Sequence, residues 1–349
     1  MSRQNNPEAP PFWGQLLMVG LPGPRMDAVA REMVRDLQVG GIILFARNIE
    51  TPEQVWELCR NLQQEALAAT GRPLLISVDQ EGGPVQRLKA PFTIIPPARK
   101  LGLEATLPEV EALAWQTARE LHLVGINVNL APVLDVARGP DCPLWERSYG
   151  QDPEWVAQMG TAAIRGYLAG GVLPVAKHFP GLGDTRVDSH LDLPVSQSGD
   201  PAREVDMVPF RRAVAAGAPL IMTAHLMVPE WDSRAATLSP VILQEKLRRG
   251  LGFEGVIITD DLEMGAIATR QAAPEGARAA LGAGADLLLI CNNWQAAWDA
   301  AHLLTKDEVP ASRGQDAALR LQRLREGISL PAHGLQEVKE YFRKLPEAR

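Results

Sequence analysis

Eight short apolar runs, separated by amphipathic stretches of helical period, leave this chain few ways to fold. The runs occupy 16–20, 41–45, 74–78, 126–134, 173–178, 220–224, 255–259 and 286–290. Residues 41–45, Gly-Ile-Ile-Leu-Phe, show no polar alternation, as befits a parallel strand covered on both faces. Stretches such as 52–69, 108–124, 154–169 and 240–249 carry apolar residues at helical spacing, and another, 294–305, follows the last run. Several close on glycine before the next run (Gly125, Gly170-Gly171, Gly217), a common helix stop. Eight strand–helix repeats are the number that closes an α/β fold into a (β/α)8 TIM-type barrel. An open doubly wound sheet shares the alternation, so closure is an expectation.

With 46% apolar and 22% charged residues, 349 residues suffice for one large core. No composition break marks a second domain. The expected layout is a disordered N-terminal segment at 1–11, one barrel at 12–329 and a short helical C-terminal tail at 330–349. A formal charge of −7 argues against a nucleic-acid or anionic-membrane partner, which would want clustered Lys and Arg. Three widely spaced cysteines, Cys59, Cys142 and Cys291, form neither a disulfide framework nor a zinc motif and fit a reducing compartment. The polar first residues lack the apolar centre of a secretory signal, and no run nears the ~18 apolar residues of a membrane span. A cytoplasmic protein is expected, with its oligomeric state open and a monomer compatible.

Barrels of this kind carry their chemistry at the C-terminal strand ends. Here the runs lead into Arg47-Asn48, Asp79 through Gly83, Asp135 with Arg147 in the following loop, Lys177-His178, His225, Asp260-Asp261 and Asn292. Chance would scatter such groups between both ends. Each has a plainer reading too. Asp79 and Gly82-Gly83 fit turn chemistry, and Asp261, nearer the next helical segment than Asp260, fits an N-cap. His225, among apolar neighbours, fits a structural histidine as well as a ligand. His122, His302 and His333 fall in helical or tail contexts. Trp145 and Trp231 lie in loops where a sugar ring could stack, although packing is the commoner role of tryptophan.

Residues 177–190 concentrate this chemistry, with two histidines, two aspartates, a lysine and two glycines at the end of an apolar run. A solvated loop with turn-forming glycines is the plain alternative. The set suits glycoside cleavage, in which a carboxylate attacks while an acid protonates the leaving oxygen. It also suits metal-assisted hydrolysis through His178, His190 and His225 with the aspartates. No His-x-His or His-Glu-x-x-His spacing supports the second. No metal and no cofactor are expected.

Residues 177–190, Lys-His-Phe-Pro-Gly-Leu-Gly-Asp-Thr-Arg-Val-Asp-Ser-His, resemble the signature of glycoside hydrolase family 3, in its β-N-acetylglucosaminidase branch. Residues 78–87 resemble that branch's Asp-x-Glu-Gly-Gly-x-Val-x-Arg segment, and 131–136, 147–150, 222–225 and 252–264 match further blocks in order. The likeness runs from roughly Gly14 to Asn293. It departs at Leu182, where a second histidine is common, and at Pro84, where an arginine is common.

The resemblance implies a retaining hydrolase that releases terminal β-linked N-acetylglucosamine from a small carbohydrate substrate, with muropeptide fragments of peptidoglycan recycling as the bacterial role. By position Asp260 matches the nucleophile, and Asp188 with His190 the acid/base dyad. Asp79, Arg87, Arg147, Lys177 and His178 match the sugar-binding residues. An imidazole titrating near pH ~6.5 can give and then take a proton at cellular pH. Lys177 or an arginine is expected to hold Asp260 ionised, and Glu81 or Glu146 stand as reserve acids. Two rivals keep the barrel: a sugar-binding protein with a relic site, and a phosphorylase, since a histidine would not repel phosphate as a carboxylate would.

Overall fold

The computed structural model describes residues 11–189, 191–196, 199, 204–306, 309–330 and 332–344. Among them, eight parallel strands form one sheet, numbered in chain order: β1 Leu17–Gly20, β2 Gly41–Leu44, β3 Leu75–Val78, β4 Val128–Asn129, β5 Leu173–Phe179, β6 Leu220–Thr223, β7 Val256–Ile258 and β8 Leu288–Ile290. Neighbours in space are neighbours in sequence from β1 to β7, and β8 pairs with β1, Leu288 opposite Leu17. A bridge between Ile258 and Leu287 joins β7 to β8, so the alternation closes as the (β/α)8 barrel. β1, β2, β3 and β6 are buried along their whole length, which is why their sequences lack alternation.

Capping chemistry starts the surrounding helices where the sequence places polar residues. Asp27 accepts the Ala30 N–H ahead of helix Ala28–Arg35, and Thr51 accepts that of Gln54 ahead of Pro52–Thr70. Asp152 and Asn293 do the same for Pro153–Ala169 and Trp294–Leu304. Helix Leu335–Lys344 buries Val338 and Phe342, the latter edge-on to Phe92. At the opposite end of the barrel from the strand C-termini, the carboxylate of Asp286, just before β8, bonds Arg248 and Arg313 and the Ile257 N–H. That cluster fastens helix Ala311–Glu326, which carries Arg313, to the barrel.

Two strands depart from the expected pattern, and both departures shape the site. The fourth run pairs regularly only over two residues, because Pro132 has no N–H to donate. Its path is still held, since the Pro132 carbonyl accepts the Lys177 N–H and Lys177 in turn accepts that of Leu134. Pairing of β5 with β6 slips between Ala176 and Phe179. Consecutive strand side chains normally point to opposite faces; at this irregularity Lys177 and His178 both line one cavity.

Candidate active site

Past β3, the hairpin of Gln80–Gly82 and Val85–Gln86 delivers Asp79, Glu81 and Arg87. Gly82 and Gly83 have φ of 109° and 54°, and a Cβ on either would lie within 2.6–2.9 Å of Ile95, Pro96 or Pro97. The buried Gln80 side chain accepts the N–H groups of Arg87 and Leu88 and fixes the hairpin. Pro84 is exposed at its tip, and Arg87 still reaches the cavity.

Lys177, nearly inaccessible on β5, lies 2.8 Å from Asp79 Oδ1 and 2.6 Å from Glu81 Oε1. Arg147, in the turn Trp145–Arg147, grips Glu81 with two bonds of 2.8 Å. Burial alone would raise the pKa of Glu81; Lys177 and Arg147 overcome it and hold the group at about 2. Burial opposes the charge on Lys177 as well, but Asp79 and Glu81 keep its pKa raised. The two reserve acids therefore fail. Glu81 is locked as an ionised clamp, and Glu146 is exposed and absent from the cavity lining.

His178 bonds the buried Asp135 through Nδ1 at 2.7 Å. Asp135 also accepts the N–H groups of His178 and Leu182. Because a carboxylate accepts, Nδ1 carries hydrogen and Nε2 is left for the cavity. The Leu182 side chain lines the cavity where the resemblance would place an imidazole.

Asp260 and Asp261 follow β7 with opposite electrostatics. Asp260 Oδ1 accepts the Asp261 N–H at 2.8 Å. Burial would raise its pKa; the His225 and His178 imidazoles, the Asp261 N–H and, after these, Lys177 reverse that and lower it. The expected holder of its charge, Lys177 or an arginine, thus ranks behind two imidazoles. Asp261 caps the next turn, its Oδ1 accepting the N–H groups of Glu263 and Cys291. Burial pushes its pKa up to about 7.

The cavity at the strand C-termini has a volume of about 370 Å³, within reach of small-ligand sites. It gathers Asp79, Arg87, Arg147, Lys177, His178, Asp188 and Asp260 of the expected residues. His190 lies outside the described residues. Arg47 and Asn48 are turned to backbone carbonyls, Arg47 to Leu21 and Cys291, Asn48 to Leu21 and Gly23. His225 is fully buried behind the cavity, bonded to Thr237 and to the Asp261 carbonyl. Neither tryptophan lines the cavity; Arg99 stacks on Trp145 and Lys246 on Trp231. Sequence reasoning gave Glu81 no clamp role, although it stands between Asp79 and the glycines. It also passed over the apolar wall of Ile43, Phe45, Met222, Met264 and Leu289, whose residues read as core.

A closed parallel barrel whose ionisable groups converge on one cavity at the strand C-termini defines a barrel enzyme. The sequence of the glycosyl hydrolase family 3 N-terminal domain matches residues 13–324, and the chain belongs to that family of glycoside hydrolases. A β-hexosaminidase of Tolumonas auensis is 41% identical over 304 residues, 86% of this chain and 89% of that protein. One from Pseudomonas aeruginosa is 40% identical over 305 residues, with the same shares. A family 3 β-N-acetylglucosaminidase from Paenibacillus superposes with a TM-score of 0.89 at 36% identity, over 95% of this chain and 67% of that one. Native NagZ from Neisseria gonorrhoeae superposes with a TM-score of 0.81 at 32% identity, over 95% and 94%.

Proposed function

We propose that this protein is a retaining β-N-acetylglucosaminidase that removes terminal β-linked N-acetylglucosamine from muropeptide fragments in the cytoplasm. The observation that carries the reading is Asp260. It is a partly buried carboxylate whose pKa its surroundings lower, with one oxygen fixed by a backbone N–H and a place in the same cavity as Lys177, Arg87 and Arg147. The names of the relatives supply the sugar.

In this reading Asp260 attacks the anomeric carbon as the bond to the leaving oxygen breaks, and His190, oriented by Asp188, gives that oxygen its proton. Water then attacks the glycosyl ester, passes a proton to the imidazole and releases the carboxylate. Asp188 acts on the histidine as the aspartate of a hydrolase triad does. Lys177, Arg87 and Arg147 donate to sugar oxygens, Asp79 accepts from hydroxyls, and His178 presents Nε2. Glu81 holds Lys177 and Arg147 in place.

A chromogenic β-N-acetylglucosaminide should be cleaved faster than the matching β-glucoside and β-xyloside. Asp260→Asn and Asp260→Ala should abolish cleavage with the fold intact. Added phosphate should change neither rate nor product; a sugar phosphate would make the enzyme a phosphorylase. Wild-type rates in Asp260→Asn would remove the nucleophile assignment.

A further inference from the structure

His225 follows β6 and does not line the cavity, yet of the groups lowering the pKa of Asp260 it ranks first. Its Nε2 lies 2.9 Å from the Asp261 carbonyl oxygen. A carbonyl only accepts, so Nε2 carries hydrogen. Its Nδ1 lies 2.8 Å from Thr237 Oγ1, which is itself 2.9 Å from the Ala224 carbonyl and 2.8 Å from Thr223 Oγ1. Thr223, Ala224, His225 and Thr237 are all inaccessible to solvent. The chain makes a detour to build this contact: after His225 it runs through the hairpin of Met227–Val228 and Asp232–Ala235. It then returns as the turn Ala236–Leu238, which carries Thr237.

We infer that His225, set by Thr237, is a positioning residue for the nucleophile. It holds the backbone of Asp261 so that the Asp261 N–H stays aimed at Asp260 Oδ1 and the other oxygen is left to attack. The inference rests on Asp260 being that nucleophile. The proton count strengthens it. Thr237 has one hydroxyl hydrogen; if that goes to the Ala224 carbonyl, Nδ1 must also carry hydrogen and the ring is a buried cation next to Asp260. Either proton arrangement preserves the bond to Asp261, and the charged one also favours ionised Asp260. The other charged or titratable groups lining the cavity with Asp260 include Lys177 and His178 from β5, Asp79 past β3, Asp188 on the loop after β5, Asp261 beside it and Cys291 past β8. None of these bonds the backbone that carries the aiming N–H except through the Asp261 carboxylate, which takes the Cys291 N–H.

The test is the pH profile of kcat/KM on an aryl β-N-acetylglucosaminide for Thr237→Val, Thr237→Ser, His225→Gln and His225→Phe. Loss of a hydrogen bond that aims a charged group should lower kcat/KM by about tenfold to a hundredfold in Thr237→Val and His225→Phe. The acid limb, which reports ionisation of Asp260 in the free enzyme, should move up by about one pH unit. Thr237→Ser keeps the hydroxyl and should match the parent. His225→Gln can still donate to the Asp261 carbonyl and should recover rate while leaving the limb displaced. If His225→Phe does not fold, the Thr237→Val and Thr237→Ser pair decides. A folded Thr237→Val with parental kcat/KM and an unmoved acid limb overturns the inference while Asp260→Asn stays inactive. An active Asp260→Asn instead overturns the nucleophile itself.

Discussion

Replacing Asp261 by asparagine should stabilise the protein, and by more as the pH rises. The Asp261 carboxyl is mostly buried, and its pKa stands at about 7 instead of its ordinary 3.8. Below pH 3.8 it is neutral in both folded and unfolded chains and has no effect on their balance. Between 3.8 and about 7 the unfolded chain ionises while the folded one does not, so stability drains away as pH rises. Above 7 the full cost is present, about 4 kcal/mol at roughly 1.4 kcal/mol per tenfold. About 3 kcal/mol of it accrues between pH 5 and pH 8. Asparagine keeps the Oδ1 acceptor for the Glu263 and Cys291 N–H groups and has no charge to bury. Urea unfolding of parent and Asp261→Asn at the two pH values gives the difference directly, with every other titration cancelling. A stability gap that stays flat or narrows from pH 5 to pH 8 would refute the reasoning. Cleavage by Asp261→Asn should remain far above that of Asp260→Asn.

Three further outcomes follow from the same geometry. Asp286→Ala leaves the buried Arg248 and the partly buried Arg313 without their carboxylate and should cost about 3–5 kcal/mol in urea unfolding, with the active cavity unchanged. Glu81→Gln removes the charge that Lys177 and Arg147 share; kcat/KM should fall about 10–100-fold. Its acid limb above pH 4 should not move, since a group held at about 2 is already ionised there. His190→Ala should lower the rate on alkyl glycosides by about 10²–10⁴-fold and on aryl glycosides with acidic phenols by far less. A plot of log rate against leaving-group pKa no steeper than the parent's takes His190 out of the acid role.

Much of the fold was legible because a barrel strand is covered on both faces, so its sequence is a plain apolar run between helix stops. The second run, 41–45, gave β2 Gly41–Leu44 almost to the residue. The fourth did not, since the sequence shows Pro132 but not which neighbour replaces the lost ladder bond. At the site, position along a strand was legible and side-chain direction was not. Arg47, Asn48 and His225 sit at strand ends as Asp79 and Lys177 do, yet the turns that follow point the first three at backbone carbonyls. Glu81 was visible as a residue, but its state depends on Lys177 arriving from another strand and Arg147 from a distant turn. No local pattern encodes that meeting.

Three carboxylates around one cavity end up in three different states, and their surroundings account for all of them. Glu81 is saturated by Arg147 and Lys177, which fix it as an anion with nothing left to give. Asp261 faces burial with only two backbone N–H groups in compensation, and with its pKa at about 7 it is only about half ionised near neutral pH. Asp260 is partly buried as well, but imidazoles, rather than bonded cations, lead the groups that lower its pKa, and among the described residues no lysine or arginine forms an ion pair with it. A carboxylate tied up by an arginine fork loses nucleophilicity along with its free lone pairs; one stabilised at a distance keeps both its charge and an unbound oxygen. Divergent environments for like groups are how one site assigns different roles to them. Of the three, Asp260 alone meets the requirements of an attacking group, with the His225 and His178 imidazoles foremost among the groups that lower its pKa.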